Sequence, residues 1–251
     1  MHRFFLEPEY CGGDILLLTE REAKHAVQVL RLRHGETCAV LNGAGEVLTC
    51  AVDSTARHSL KLKVLARRRH EAPAVQLTLV QALPKGKLIE SILQKATELG
   101  AGRIVPIVSE RVVPHWREGA ASSRVERWRR TAIEAIKQCG SPWLPLVSAP
   151  LTFQSAASMQ ELTEFALVAS LQPERRHARE VFGEFIRQHR RRPASVNLWV
   201  GPEGDFTPEE LAALRAKGAH AISLGSNVLR ADTAAMAGLA ILQSELEASQ
   251  P

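Results

Sequence analysis

A small β-rich domain followed by an α/β domain with a mostly parallel sheet is the architecture that the sequence predicts. Three observations carry it. Short runs rich in Val, Leu and Thr dominate the first 70 residues. From Val75 onward, apolar strand-like runs alternate with helix-like segments. A polar stretch ending in proline, Arg67–Pro73, lies between the two patterns and reads as a linker. The expected domains are therefore residues 1–72 and 73–251.

In the first domain the strand candidates are Glu36–Asn42, Glu46–Val52 and Ser59–Ala66. Asn42-Gly43-Ala44-Gly45 joins the first two as a hairpin turn, where glycine takes positive φ without cost. One helix interrupts the β pattern. Thr19 is placed to cap it, with Glu22 completing a capping box, and Ala23, Ala26, Val27 and Leu30 form an apolar stripe at helical spacing. A small barrel with one helix fits these features.

In the second domain the strand candidates are Val75–Ala82, Arg103–Val108, Leu144–Ser148, Glu164–Ser170, Val196–Val200 and Ala219–Leu224. Helices are expected at Lys85–Leu99, Ser123–Gln138, Glu174–His189, Pro208–Ala216 and from about Leu229 to Leu246. Strands and helices in alternation imply a sheet covered on both faces. Ligands in such folds bind beyond the carboxyl ends of strands, which directs attention to the loops after Ser170, Val200 and Leu224.

Composition narrows the function classes. With 45% apolar residues among 251, the chain has enough for a packed core. It contains no apolar run of about 18 residues, the length of a membrane-spanning helix, and its N-terminus turns polar too early for a secretory signal. A cytoplasmic protein is expected. Cys11, Cys38, Cys50 and Cys139 form no CxxC pair and no zinc-type cluster, so reduced, mostly buried thiols and no metal are expected. The net charge of +5 permits a polyanionic partner, and positive charge is denser before residue 70.

Two segments carry the candidate chemistry. Gly201-Pro202-Glu203-Gly204-Asp205-Phe206 follows the buried run Val196–Val200. Its glycines let backbone approach a ligand, and Thr207, Pro208 and Glu210 spell a capped helix start. It is not a phosphate loop, since Gly-Lys-Ser/Thr is missing and two carboxylates are present. The second segment, Leu224–Ala234, places Arg230 and Asp232 at the start of a helix rich in small residues. Each segment alone also reads as a tight turn before a helix.

In combination, GPEGDF and LGSNVLRADTA resemble the signature of the SPOUT methyltransferases. The similarity is greatest to that superfamily's uridine-N3 methyltransferases of small-subunit (16S) ribosomal RNA. Gln81–Val113, with Lys95, Glu98, Leu99, Gly100 and Arg111, and Lys24–Glu36, with His25 and Val29-Leu30-Arg31, resemble the same family in colinear order. The resemblance implies a PUA-like RNA-binding barrel, a SPOUT domain with a deep trefoil knot, and a homodimer. It also implies S-adenosyl-L-methionine bound by three loops: Leu171; Val200, Gly201, Pro202, Glu203 and Gly204; and Leu224, Gly225, Leu229 and Arg230.

The sequence departs from the family pattern at four places. Asp205 stands for a usual second glycine, Asn227 for arginine, Asp232 for glutamate, and Lys137-Gln138-Cys139 for Glu-Gln-Ser. The candidate catalytic residues are Arg230, to stabilise charge on the uracil or orient it, and Asp232 or Glu203, to orient Arg230 or accept the proton. RNA or the small ribosomal subunit is expected at Arg3, Lys24, Arg31 and Arg33, with Arg21 and Arg67–Arg69 as further basic candidates. Trp116, Trp128 and Trp143 are expected to pack rather than to stack on bases. Ribose 2′-O methylation, and a non-catalytic ribosome-assembly relative, are the competing expectations.

Overall fold

The computed structural model describes residues 1–56, 58–86, 88–112, 121–159 and 163–247. The chain divides into two compact units: Met1–Ala72 with Ile133–Leu144, and Pro73–Ala132 with Pro145–Pro251.

The first unit is a five-stranded sheet. Its strands are β1 (His2–Phe5), β2 (Ile15–Thr19), β3 (Thr37–Leu41), β4 (Glu46–Ala56) and β5 (Ser59–Arg69), in the order β1-β3-β4-β5-β2. Among the described pairings of this sheet only β1–β3 is parallel. Register shifts between β4 and β5 at Thr49/Cys50 and Val52/Ser54 mark irregularities of the kind that bend strands. Phe4, Leu16, Leu18, Val40, Leu48, Leu60 and Leu62 form the buried core of this unit together with three cysteines. The Asn42 side chain builds the β3–β4 turn by accepting the amides of Ala44 (2.9 Å) and Glu46 (3.0 Å). Gly43 and Gly45 take left-handed φ there. A Cβ on Gly45 would lie 2.4 Å from the Trp143 ring, so the turn and that indole fit only around glycine.

Two expectations fail in this unit. Thr19 precedes helix α1 (Glu20–Lys24) in extended conformation but makes no side-chain cap. Glu22 instead accepts from the Phe5 amide (3.3 Å) and the Lys137 ammonium (2.7 Å). That ion pair is largely buried, where charges need partners most. Lys137, a departure from the family pattern, thereby has a structural partner. The expected linker is also displaced: Arg67–Arg69 extend β5 opposite Glu46–Leu48. The Arg67 guanidinium donates to the carbonyls of Cys11 (2.7 Å) and Gly13 (2.6 Å). After α1 the chain makes a π turn, His25–Val29, rather than continuing the helix.

The second unit is built on a parallel sheet. Its elements are β6 (Gln76–Ala82), α2 (Leu88–Glu98), β7 (Arg103–Val108), β8 (Leu146–Val147), β9 (Leu151–Thr152), α4 (Phe153–Met159), β10 (Phe165–Ala169), β11 (Arg176–His177), α5 (Ala178–His189), β12 (Ser195–Val200), α6 (Pro208–Ala216), β13 (His220–Ser223) and α7 (Ala231–Glu247). Helix α3 (Ala121–Cys139) begins in this unit and ends among residues of the first. The strand order is β11-β13-β10-β12-β6-β7-β8, with β9 also paired to β7, and every described pairing is parallel. Period-two alternation sends Trp199 and Val168 to the face shared with Phe153, Phe206, Leu211 and Leu214. Leu198 faces α7, where a Cβ on Gly238 would lie 2.7 Å from its Cδ2. That close approach explains the small residues of α7.

The expected helix from Glu174 begins later, at Ala178, because Arg176–His177 pair with Ile222–Ser223 as an edge strand. The expected strand Leu144–Ser148 shrinks to Leu146–Val147. Trp128 and Trp143 pack within the protein: Trp128 is buried, and Trp143 Nε1 donates to the Glu71 carbonyl (3.2 Å). Trp116 lies outside the described residues. No helix among the described residues is long and apolar enough to cross a membrane.

Candidate functional site

Strands β13, β10 and β12 lie side by side and parallel, so the loops leaving their carboxyl ends meet at one edge of the sheet. Between these loops is a pocket that opens to solvent, the usual place for a ligand in a parallel α/β sheet. Leu171, Val200, Gly201, Pro202, Glu203, Leu224, Gly225 and Leu229 line it, as do Ser170, Arg175, Asp205, Asn227 and Val228. Gly204 and Arg230 adjoin this lining in sequence but are not part of it.

The loop after β12 is held from several directions. Asp205 N–H donates to the Pro202 carbonyl (3.0 Å), closing a tight turn. A Cβ on Gly201 would meet Phe206 N at 3.0 Å, so the turn folds back on its own first residue. Glu203 accepts from the Lys85 amide (3.0 Å) in the loop after β6. The Gly204 carbonyl accepts from the Arg111 guanidinium in the loop after β7. Asp205 accepts from Phe206 N–H (2.8 Å) and, across the pocket wall, from Leu171 N–H (3.4 Å).

Helix α6 anchors this loop at its far end. Thr207 Oγ1 accepts the Glu210 amide (3.2 Å), while Glu210 accepts the Thr207 amide (3.0 Å), which is the capping box expected from Thr207, Pro208 and Glu210. The same Glu210, almost wholly buried, also accepts from the Glu110 amide (2.9 Å). No local sequence pattern announces that second bond.

The loop after β13 is held locally. The Ser223 hydroxyl accepts Gly225 N–H (3.3 Å) and donates to the Gly225 carbonyl (3.2 Å). Gly225 has φ 129°, and a Cβ there would have no atom within 4 Å. It borders the pocket, so that free space is where a ligand would come closest to main chain. Val228 is 76% exposed, and Arg230 is exposed as well. Asp232, at the start of α7, accepts its neighbour's Thr233 amide (2.9 Å). No ion pair joins Arg230 to Asp232 or Glu203 among the described residues.

The basic residues expected to meet RNA lie in the first unit. Lys24, Arg31 and Arg33 are exposed. Arg31 holds a left-handed backbone (φ 54°), which is strained for a residue with a Cβ. Arg3 is engaged differently: its guanidinium donates to the carbonyls of Lys137 (3.2 Å) and Gln138 (2.9 Å). Cys11, Cys38 and Cys50 are buried free thiols, whereas Cys139 is a free thiol at the surface. Among the described residues, no group of three or more His, Cys, Asp or Glu is arranged to hold a metal ion.

Residues 70–243 match the RNA methyltransferase domain family, and residues 18–65 match the RNA methyltransferase PUA domain. The chain is 32% identical to the ribosomal RNA small subunit methyltransferase E of Synechocystis, over 98% of this chain and 78% of that one. It is likewise 32% identical to the Mycobacterium bovis protein of the same name, over 98% and 94%. A crystal structure of ribosomal RNA small subunit methyltransferase E from Neisseria gonorrhoeae, bound to S-adenosyl methionine, matches with a TM-score of 0.84. Its sequence is 27% identical, and the match covers 97% of each chain. The chain belongs to the RNA methyltransferase family that includes the ribosomal RNA small subunit methyltransferases E.

Proposed function

We propose that the protein methylates N3 of a uridine in the 16S RNA of the small ribosomal subunit, with S-adenosyl-L-methionine as methyl donor. The observation that carries this reading is the convergence of the Leu171, Val200–Glu203 and Leu224–Leu229 loops on one pocket. Its place beyond the carboxyl ends of parallel strands and its open, glycine-bordered wall at Gly225 fit a nucleoside cofactor that approaches main chain closely. The names of the relatives, and the cofactor bound to the Neisseria protein, support the same reading.

When bound, S-adenosyl-L-methionine supplies an activated sulfonium methyl. Leu171, Val200, Gly201, Pro202, Glu203, Leu224, Gly225 and Leu229 hold it, with Gly204 and Arg230 flanking. The chain's task is then to align a uracil and exclude water. N3 is a weak nucleophile until it loses its proton, and the resulting charge gathers on the neighbouring carbonyl oxygens. Arg230, a cation at the pocket's edge with no ion pair among the described residues, donates to those oxygens. Asp232 orients Arg230 or takes the proton. Glu203 is less suited to that task, because its carboxylate already holds the Lys85 amide.

Residues 1–72 form the PUA-like RNA-binding barrel, with Lys24, Arg31 and Arg33 its exposed cations and Arg3 more tightly held. Residues 73–251 form the SPOUT domain with a deep trefoil knot. The working unit is a cytoplasmic homodimer, in which a second copy completes the surroundings of Arg230. The test is methyl transfer to small ribosomal subunits from cells lacking the protein, with the product nucleoside identified by mass spectrometry. N3-methyluridine is the expected product. A ribose 2′-O-methyl product overturns the base assignment, and no transfer to subunits or naked RNA overturns catalysis itself.

A further inference from the structure

Leu171 has an unusual position at the pocket mouth. The residue is 46% exposed, yet both polar groups of its backbone are held by charged side chains. Its N–H donates to Asp205 Oδ2 (3.4 Å), and its carbonyl accepts from Arg175 Nη1 (2.6 Å). Asp205 and Arg175 both line the pocket. The other oxygen of Asp205 accepts from Phe206 N–H at 2.8 Å, so one carboxylate ties the loop after β12 to the loop after β10.

Asp205 does this from a left-handed backbone, φ 62°. That conformation is strained for a residue with a Cβ, whereas glycine adopts it without steric conflict. Glycine at this position would relieve the strain but would remove the carboxylate that reaches Leu171. A side chain kept at a backbone cost points to a role for the side chain.

We propose that Asp205 is a positioning residue for the cofactor: with Arg175 it clamps the Leu171 peptide from both sides and fixes the wall that the loop after β10 gives to the pocket. A fixed wall spares the ligand the entropy of ordering it. The inference rests on the pocket being the S-adenosylmethionine site.

Asp205→Gly and Asp205→Asn test it. Glycine accepts the left-handed φ, so Asp205→Gly should melt no lower than the wild type while losing the clamp. Its KM for S-adenosylmethionine should rise about tenfold, the scale of one charge-assisted hydrogen bond, with kcat changed less than about twofold. Asparagine keeps one acceptor oxygen and should restore part of the affinity. In ligand-free protein, the Leu171 amide should exchange faster in Asp205→Gly than in the wild type. An unchanged KM and unchanged Leu171 exchange overturn the proposal, as does a KM increase accompanied by a fall in melting temperature. Wild-type protein that binds no S-adenosylmethionine overturns the site reading, and with it the cofactor role. Leu171 exchange, measured without ligand, then still decides whether the clamp exists.

Discussion

The two loops that first drew attention are built in opposite ways. The loop after β12, Gly201–Phe206, is braced by bonds to the loops after β6, β7 and β10 and by a capped helix behind it. The loop after β13, Leu224–Arg230, is held mainly by the Ser223–Gly225 hydroxyl turn and leaves Val228 and Arg230 in the open. One is a preformed wall, and the other has side chains not yet matched to anything in the chain. Preorganisation suits the part of a site that binds a constant cofactor. Exposed, unmatched groups suit the part that meets a substrate or a second copy.

The largest effect that can break this contrast comes from the open loop. Arg230→Ala should lower methyl transfer by roughly two to three orders of magnitude, the loss typical of removing a charge-stabilising donor. Its affinity for S-adenosylmethionine should change little. Full transfer with unchanged RNA binding would remove Arg230 from catalysis and leave the second loop without its assigned task.

The braced loop should fail differently. In Gly201→Ala the new Cβ would face Phe206 N at 3.0 Å and Asp205 C at 3.2 Å, both of them backbone atoms. Overpacking of this kind costs about 1–3 kcal/mol. A lower melting temperature together with weaker cofactor binding is expected from calorimetry. If Gly201→Ala melts and binds as the wild type does, the loop is more yielding than its contacts imply.

A smaller effect sharpens the distinction between closed and open in the first unit. Burial pushes the Cys38 thiol up to about 11 and the Cys50 thiol up to about 12, and it raises that of Cys11. A raised thiol value keeps the unreactive protonated form at every pH below it. At about pH 8, near the ordinary cysteine value, only exposed Cys139 should react with a thiol reagent in the native protein. All four should react after unfolding. Fast reaction of a second native thiol would show that the core of the first unit opens.

What could be read from the sequence was what adjacent residues decide. The capping box at Thr207, Pro208 and Glu210 forms as its spacing implies, because all its bonds close within one helical turn. The parallel sheet and most of its strands followed from apolar runs of the right length. The Thr19–Glu22 box did not form, because Glu22 has a buried partner at Lys137, 115 positions away. Arg67–Arg69 read as linker because charge suggested solvent, yet the strand continues and Arg67 is held by the carbonyls of Cys11 and Gly13.

The site follows the same rule. Its three loops were legible as strand ends, two of them with glycine. Arg175 and the bracing by Lys85 and Arg111 were not, since those bonds join positions 4, 118 and 93 residues apart through backbone atoms that carry no sequence signal. Asp205 was visible only as a departure from the family's glycine. Its left-handed backbone gives that position a physical meaning.

Amide hydrogen exchange with and without S-adenosylmethionine tests the central claim most directly, namely that three loops at the carboxyl ends of β10, β12 and β13 hold the methyl donor. Protection concentrated at Ser170–Leu171, Gly201–Phe206 and Leu224–Leu229 is expected. Protection confined to other parts of the chain, or none at saturating cofactor, would contradict it.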